Sequence, residues 1–592
     1  MNTGVTRKKS TRLLGLSLSL VVLCSSFVWE ESVQAAGKTY YVDIDTGIDR
    51  SDYGLTADKP FKNIQYAANL TNPGDTVYVM DGTYYKTNDQ DVFHVTRSGD
   101  STSTGGYINY LAYPGHRPKL KAIDAWNHIV VNASYIKIEG FEIEGDNANL
   151  TLADGEARYN HFVQNQPTNT VDWAYIRKTQ TNGINIKPAT GTTVNPHHVI
   201  IKNNIVHDTP GGGIGADESD YITIENNTVY NTSWYNLYAT SGISVFHSVD
   251  KDTNTTTYKN LIRNNRVYNN MTLVKWGKTK DYSDGNGIII DDNQNSQLNG
   301  KYPAYKGKTL VTNNLAYNNG GSGIHSYFSH NVDIINNTAY QNNSRLDEGE
   351  IYANSTNNVK ILNNILVGRT GKKINSNYNN TNLTYDYNVY SNGNPVVSGT
   401  NDIWADPLFL NAAGGDFRLK IGSRAIDVGT TTLAPSNDFQ YNPRPRGANP
   451  DRGALESQNL IGNPSFEWTN LNGGWTKELN SAGITAQNSG AYSGTYKASF
   501  STTAATKMSQ TVTAPTTKTY TVTAYINTNI ASNVKLGADV AGVNKGQQSV
   551  ASGAYQKVTF TVSATAGQAI KVWISAPQSA GGWVAIDDVS VE

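Results

Sequence analysis

One phrase recurs through the middle of the chain: an apolar residue, an Asn-Asn pair, then a short alternating strand. It reads IKNNIVHDT at Asn203 and Asn204, IENNTVYNT at Asn226 and Asn227, and IRNNRVYNN at Asn264 and Asn265. It returns as VTNNLAYNN (Asn313, Asn314), IINNTAYQN (Asn336, Asn337) and ILNNILVGR (Asn363, Asn364). Asn204 to Asn227 and Asn314 to Asn337 are each 23 residues, while the gaps from Asn227 to Asn265 to Asn314 are 38 and 49. A period of twenty-odd residues, with short strands and Asn/Gly punctuation, predicts a β-solenoid with insertions in two coils. Each coil is one rung, paired with the next about 4.8 Å away. An Asn at the same place in every rung stacks into a ladder along the axis, so the N-x-[ST] matches there mark the ladder rather than glycosylation.

The flanks fit a solenoid. Tyr40-Tyr41-Val42 and KPFKNIQYAANLTNPGDTVYVMDGTYY read as a strand, an amphipathic capping helix over 60–70 and a first rung. DPLF (406–409), FRL (417–419), SRAIDVG (423–429) and DRGALE (451–456) form a closing segment. At the N-terminus, Arg7, Lys8, Lys9 and Arg12 precede an apolar stretch from Leu13 to Val28, and Val33-Gln34-Ala35 offers a cleavage site. This predicts a signal peptide over 1–36 and a secreted, extracellular protein without a membrane span. The single cysteine, Cys24, lies inside it, so no disulfide holds the mature chain. A net charge of -1 gives no footing for nucleic acid, and a monomer is expected.

The opening YYVD…KPFKNIQ…PGDTVYV…GTY, the Asn-Asn rungs and the closing FRL…SRAIDVG…RGALE resemble the pectate-lyase-like β-helix proteins, nearest the family 9 polysaccharide lyases. The resemblance spans 37–456 and implies a right-handed parallel β-helix acting on an extracellular polysaccharide. In that family one rung carries an Asp-Asp-Gly-Phe-Asp calcium site and the next a GNG-x-K motif whose Lys is the base. Here GNGIIIDDNQ has Ile289 in the Lys place, and Thr240, Ser241 and Ser244 stand where calcium carboxylates would be. Neither feature carries over.

From 457 to 592 the texture changes to longer alternating strands such as YTVTAYI and KVTFTV, which predict a β-sandwich. NPSFE…GGW…IDDVSV resembles jelly-roll carbohydrate-binding modules. That resemblance implies a structural calcium at Glu467 and Asp587. Trp468, Trp475, Tyr492 and Trp583 are candidates for stacking on sugar rings.

Aligning the rungs by their Gly-Ile step gives a column of Ile184, Ile214, Ile243, Ile288, Ile324 and Ile351 that must face the core. The alternate residues then face out: Asn185, Gly215, Ser244, Ile289, His325 and Tyr352, followed by Lys187, Asp217, Phe246, Asp291, Tyr327 and Asn354. Carboxylates, His and aromatics along one face suit a sugar groove better than a solvated face. Asp291, Asp292, His325, Asp217 and Lys187 are the candidate catalytic residues. Tyr327, Tyr352, Phe246 and His247 are candidate substrate contacts, and Asp217 and Asp291 candidate calcium ligands. Adjacent Asp residues also cap turns, the alternative reading of Asp291 and Asp292.

Three functions fit. The first is a lyase cleaving a uronic-acid polysaccharide by calcium-assisted β-elimination, which needs a neutralised carboxylate, a base and a proton for the leaving oxygen. The second is a glycoside hydrolase using an Asp pair. The third is a glycan-binding surface protein without activity.

Overall fold

The computed structural model describes residues 37–101, 106–467, 471 and 474–592. The expected signal peptide with Cys24, and Trp468, lie outside the described residues. Among the described residues the first body is a parallel β-helix of two eleven-stranded sheets and one eight-stranded sheet. Val, Ile and Tyr from all three inner faces form one core from Tyr40 to Tyr390. The second body is a β-sandwich of two five-stranded antiparallel sheets, with its own core from Leu460 to Val591. No described helix is long and apolar enough to cross a membrane.

The asparagine pairs divide the work. The second Asn of each pair is buried and donates its side-chain amide to the next rung: Asn204 to Asn227 at 3.1 Å, Asn227 to Asn265 at 3.1 Å and Asn265 to Asn314 at 3.0 Å. The ladder runs on through Asn337 and Asn364 to Asn388. The first Asn of each pair turns the chain in the left-handed region, with φ between 54° and 58° from Asn203 to Asn363. Asn tolerates that region better than any residue but glycine. Four of these turn residues hold the closing segment: Asn264, Asn313, Asn336 and Asn363 donate to backbone carbonyls at 437–439, 451–453 and 430. A second ladder, Asn270–Asn319–Asn342, ends on the carboxylate of Glu350.

The capping helix is shorter than 60–70. Phe61 bridges Val42 and stays extended, and α1 covers only Ile64–Ala68. The sequence reading missed two further helices inside one rung, α2 (Leu152–Asn165) and α3 (Trp173–Arg177). Thr151 and Asp154 close a capping box at the start of α2, a signal present in the sequence.

Candidate functional site

The eight-stranded sheet carries the site. Five of its strands, numbered in chain order, are β1 (Asn182–Ile186), β2 (Ile214–Asp217), β3 (Ile243–Phe246), β4 (Ile288–Asp291) and β5 (Ile324–Tyr327), followed by β6 (Ile351–Asn354). Their register matches the alignment read from the sequence. Gly215, Ser244, Ile289, His325 and Tyr352 pair in one outward column, and Asp217, Phe246, Asp291, Tyr327 and Asn354 in the next. The inward isoleucines are fully buried.

A cleft of about 330 Å³ lies over β1 to β4. Gly215 and Ser244 lie along it, with Asp217, Phe246 and Asp291 on the same sheet face. Trp126 comes from the short turn before the strand Asn127–Val131, Tyr238 and Trp276 from longer loops, and Gln297 from the loop after β4. The helical insertion backs these walls: Trp173 packs on Trp126 at 6.5 Å and on Phe162 at 6.1 Å.

The acidic groups differ sharply. Asp291 Oδ1 is shielded from solvent and has no hydrogen-bond partner. Burial, then repulsion from Asp284, pushes the Asp291 carboxyl well above the usual carboxylate range. Asp284 also lines the cleft and is pushed up to about 6 by burial. Asp217 is ion-paired with His247, whose Nδ1 lies 3.2 Å from its Oδ1. Burial alone would lower the pKa of His247, but the hydrogen bond to Asp217 and the Asp292 carboxylate 3.4 Å from its Nε2 outweigh it and raise it to about 9. His247 is therefore an imidazolium at neutral pH.

Asp292 corrects an expectation. It sits at a turn with φ of 39°, and its side chain is fully buried away from the cleft. It accepts from the Ser296 amide (2.9 Å), the Ser296 hydroxyl (2.6 Å) and the Gln297 amide (2.7 Å). Burial opposes its charge, yet these bonds and His247 hold its pKa below the ordinary value. It is the turn cap, which fixes the loop bearing Gln297.

His325 lies one rung past the cleft floor, beside Ile289 and against the rings of Tyr327 and Tyr352 at 5.5 and 4.5 Å. Burial lowers its pKa to about 3, and neither ring nitrogen has a hydrogen-bond partner. Its Nδ1 is 4.0 Å from Glu348, a residue the strand pattern missed because it precedes β6. Burial, then Asp284, raises Glu348 to about 7. Lys187 is half-buried at the end of β1, one rung before Asp217. Phe246, Tyr327 and Tyr352 are half-buried on the outer face.

The calcium assignments do not fit this arrangement. Asp217 and Asp291 are two rungs apart, about 9.6 Å along the axis, with Phe246 between them. One ion with oxygens at about 2.3–2.6 Å cannot take both. In the sandwich, Asp587 accepts from the amides of Tyr492 (2.8 Å), Ser493 (3.1 Å) and Asp588 (2.9 Å). Glu467 accepts from the amides of Thr495 (2.7 Å) and Tyr496 (2.8 Å). These oxygens face N–H donors, where a cation needs further oxygens. Among the described residues one trio, Glu142, Glu144 and His207, has atoms at metal spacing. Lys119 and Lys121 already pair with its carboxylates.

Trp475 is also corrected. It packs in the sandwich core on Phe466 at 5.4 Å, and its indole donates to the Asn463 carbonyl. Tyr492 and Trp583 are exposed.

A family model described as the Pel9A-like right-handed β-helix region matches residues 41–364, more than half of the chain. The chain belongs to this family. Among solved structures, the pectate lyase Pel9A is 17% identical over 72% of this chain and 97% of its own, with a TM-score of 0.42. A rhamnogalacturonan lyase is 16% identical over 62% of this chain and 87% of its own, TM-score 0.32. A module solved with β-1,4-galactotriose, TmCBM61, is 19% identical over 23% of this chain and 99% of its own, TM-score 0.21. No curated protein matches the sequence.

Proposed function

We propose that this polysaccharide-active β-helix protein is a secreted, monomeric enzyme that hydrolyses glycosidic bonds in an extracellular polysaccharide, with Asp291 as general acid and Asp217 as base. One observation carries the reading: Asp291 stands at the floor of a cleft with its Oδ1 buried and unpartnered, and burial raises its pKa well above the usual carboxylate range. A buried, proton-bearing carboxyl is the group needed to protonate a leaving glycosidic oxygen. Asp217 is the charged partner, since His247 balances it. Their rung separation of about 9.6 Å along the axis lies just past the about 6.5–9.5 Å between the carboxyl groups of inverting enzymes, which leave room for a water. Phe246 lies between the two, where a sugar ring would stack. The basic and apolar N-terminal stretch supports export.

β-Elimination from a uronic-acid polymer is the second reading; its candidate base is His325, a neutral, unpartnered imidazole one rung from Asp291, where burial disfavours the imidazolium. It ranks behind hydrolysis because no lysine, arginine or histidine lines the cleft to neutralise a uronate, among the described residues. Calcium would be needed for it.

Incubation with acidic and neutral polysaccharides separates the readings. Hydrolysis yields reducing ends without the ultraviolet absorbance of unsaturated uronates. That absorbance would establish elimination instead, and binding without either product would leave a glycan-binding protein. Asp291→Asn is expected to lower kcat by about 10²–10⁴-fold, the usual worth of a general acid. Full activity in this variant would overturn the assignment.

A further inference from the structure

The glycines of the site strands fall into two kinds. A Cβ at Gly183, Gly213, Gly242, Gly287 or Gly323 would lie 2.4–2.7 Å from atoms of other residues, so close packing of the rungs requires these five glycines. Gly215 is different. It sits in the middle of β2 with no positive φ, and a Cβ there would meet nothing nearer than Asn185 Oδ1 at 3.5 Å. Neither backbone nor packing demands glycine, and glycine weakens a strand interior. What it supplies is empty space on the cleft face, between Asn185 and Ser244 in the same column.

The groups around that space are those that grip an uncharged sugar. Trp126, Tyr238 and Trp276 offer aromatic faces, and Asn185, whose amide nitrogen bonds to Asn127, turns its Oδ1 toward the space. All charged residues on the lining are aspartates: Asp217, Asp284 and Asp291. Lys187 stands beyond Asp217, outside the lining. An anionic ring over Gly215 would face Asp217 and Asp284, and the imidazolium of His247 is already shared between Asp217 and Asp292. The volume of about 330 Å³ is at the small end of ligand pockets, about 300–1,000 Å³, and suits a few rings.

We propose that Gly215 is the floor of a subsite that binds a neutral sugar ring of the polysaccharide, selecting against a uronate there. This rests on the cleft being the polysaccharide site and names what that site takes. The test uses the full chain carrying Asp291→Asn, in which the expected drop in kcat of about 10²–10⁴-fold slows consumption of the ligand during a titration. Calorimetric titration compares neutral oligosaccharides of xylose, glucose and galactose with an oligogalacturonate. At least one neutral ligand is expected to bind, and adding Gly215→Val to weaken that binding at least tenfold with an unchanged Tm. Gly215→Ala falls between. Binding by the sandwich is untouched by position 215 and remains as residual signal. Gly213→Ala, the packing control, is expected to lower Tm. The proposal is overturned if Gly215→Val leaves every neutral affinity unchanged, or if only the oligogalacturonate loses affinity. Should the unaltered protein cleave nothing while Gly215→Val still abolishes neutral-sugar binding, the subsite stands and the reaction assignment falls.

Discussion

At Asp291 and His247 the same burial has opposite consequences. At Asp291, burial and then repulsion from Asp284 outweigh the pull of His247 and favour the protonated carboxyl. His247 has two carboxylates and keeps its charge. The rate should therefore fall as pH rises through the elevated pKa of Asp291, because the deprotonated acid cannot serve the leaving oxygen. A rate that climbs through that range would instead identify Asp291 as a base. His247→Gln leaves Asp292 buried without its cation and Asp217 without its partner. The expected cost is about 1–3 kcal/mol, read by chemical denaturation. The outward stripe was legible because strand alternation assigns faces by parity. Parity failed at Asp292, where a left-handed residue ends the strand and swings the next side chain onto the flank. It was silent about Glu348, which reaches His325 through the fold rather than through a strand. Trp475 was misread because no periodicity tells a loop tryptophan which way to face.

The ladders set stability at the scale of elements. Asn265→Ala breaks the first ladder between two rungs: it removes the side-chain oxygen that accepts from the Asn227 backbone N–H and the side-chain donor to the Ile224 carbonyl, both in the core. A loss of a few kcal/mol is expected, about 1–3 for each orphaned group. Replacing Asn203, whose amide bonds to Glu139 and Asn226 near the surface, should cost less. Glu350 gives the second ladder a pH dependence. Burial raises its pKa from 4.5 to about 8, so the folded state binds a proton that the unfolded chain has already released. Its contribution is complete below about pH 4.5 and is lost as pH rises toward 8. Glu350→Gln should flatten the fall of Tm over that range, and an unchanged slope would place the effect elsewhere. The sequence showed the first ladder plainly because its asparagines recur in identical phrases. The helices were hidden because an insertion has no repeat to compare with.

Across the whole molecule, strand pairing and the asparagine ladders link the rungs. Chelation with EDTA is expected to leave both Tm and hydrolysis unchanged. Loss of activity restored by calcium would return the elimination reading to first place. The solenoid and the sandwich were each legible from strand spacing, whereas the reaction was not, because a β-helix fixes where side chains stand without dictating which ones. The rung carrying Phe246 has a further meaning. Stacking quantises distance along the sheet, so two groups in one column can differ only by whole rungs. One step is about 4.8 Å, close to the roughly 5 Å of retaining enzymes, and two steps approach the inverting separation. The scaffold therefore works as a ruler with coarse divisions. NMR of the first-formed product should show inversion, and shortening the ruler by the Phe246 rung would bring Asp217 and Asp291 to retaining distance.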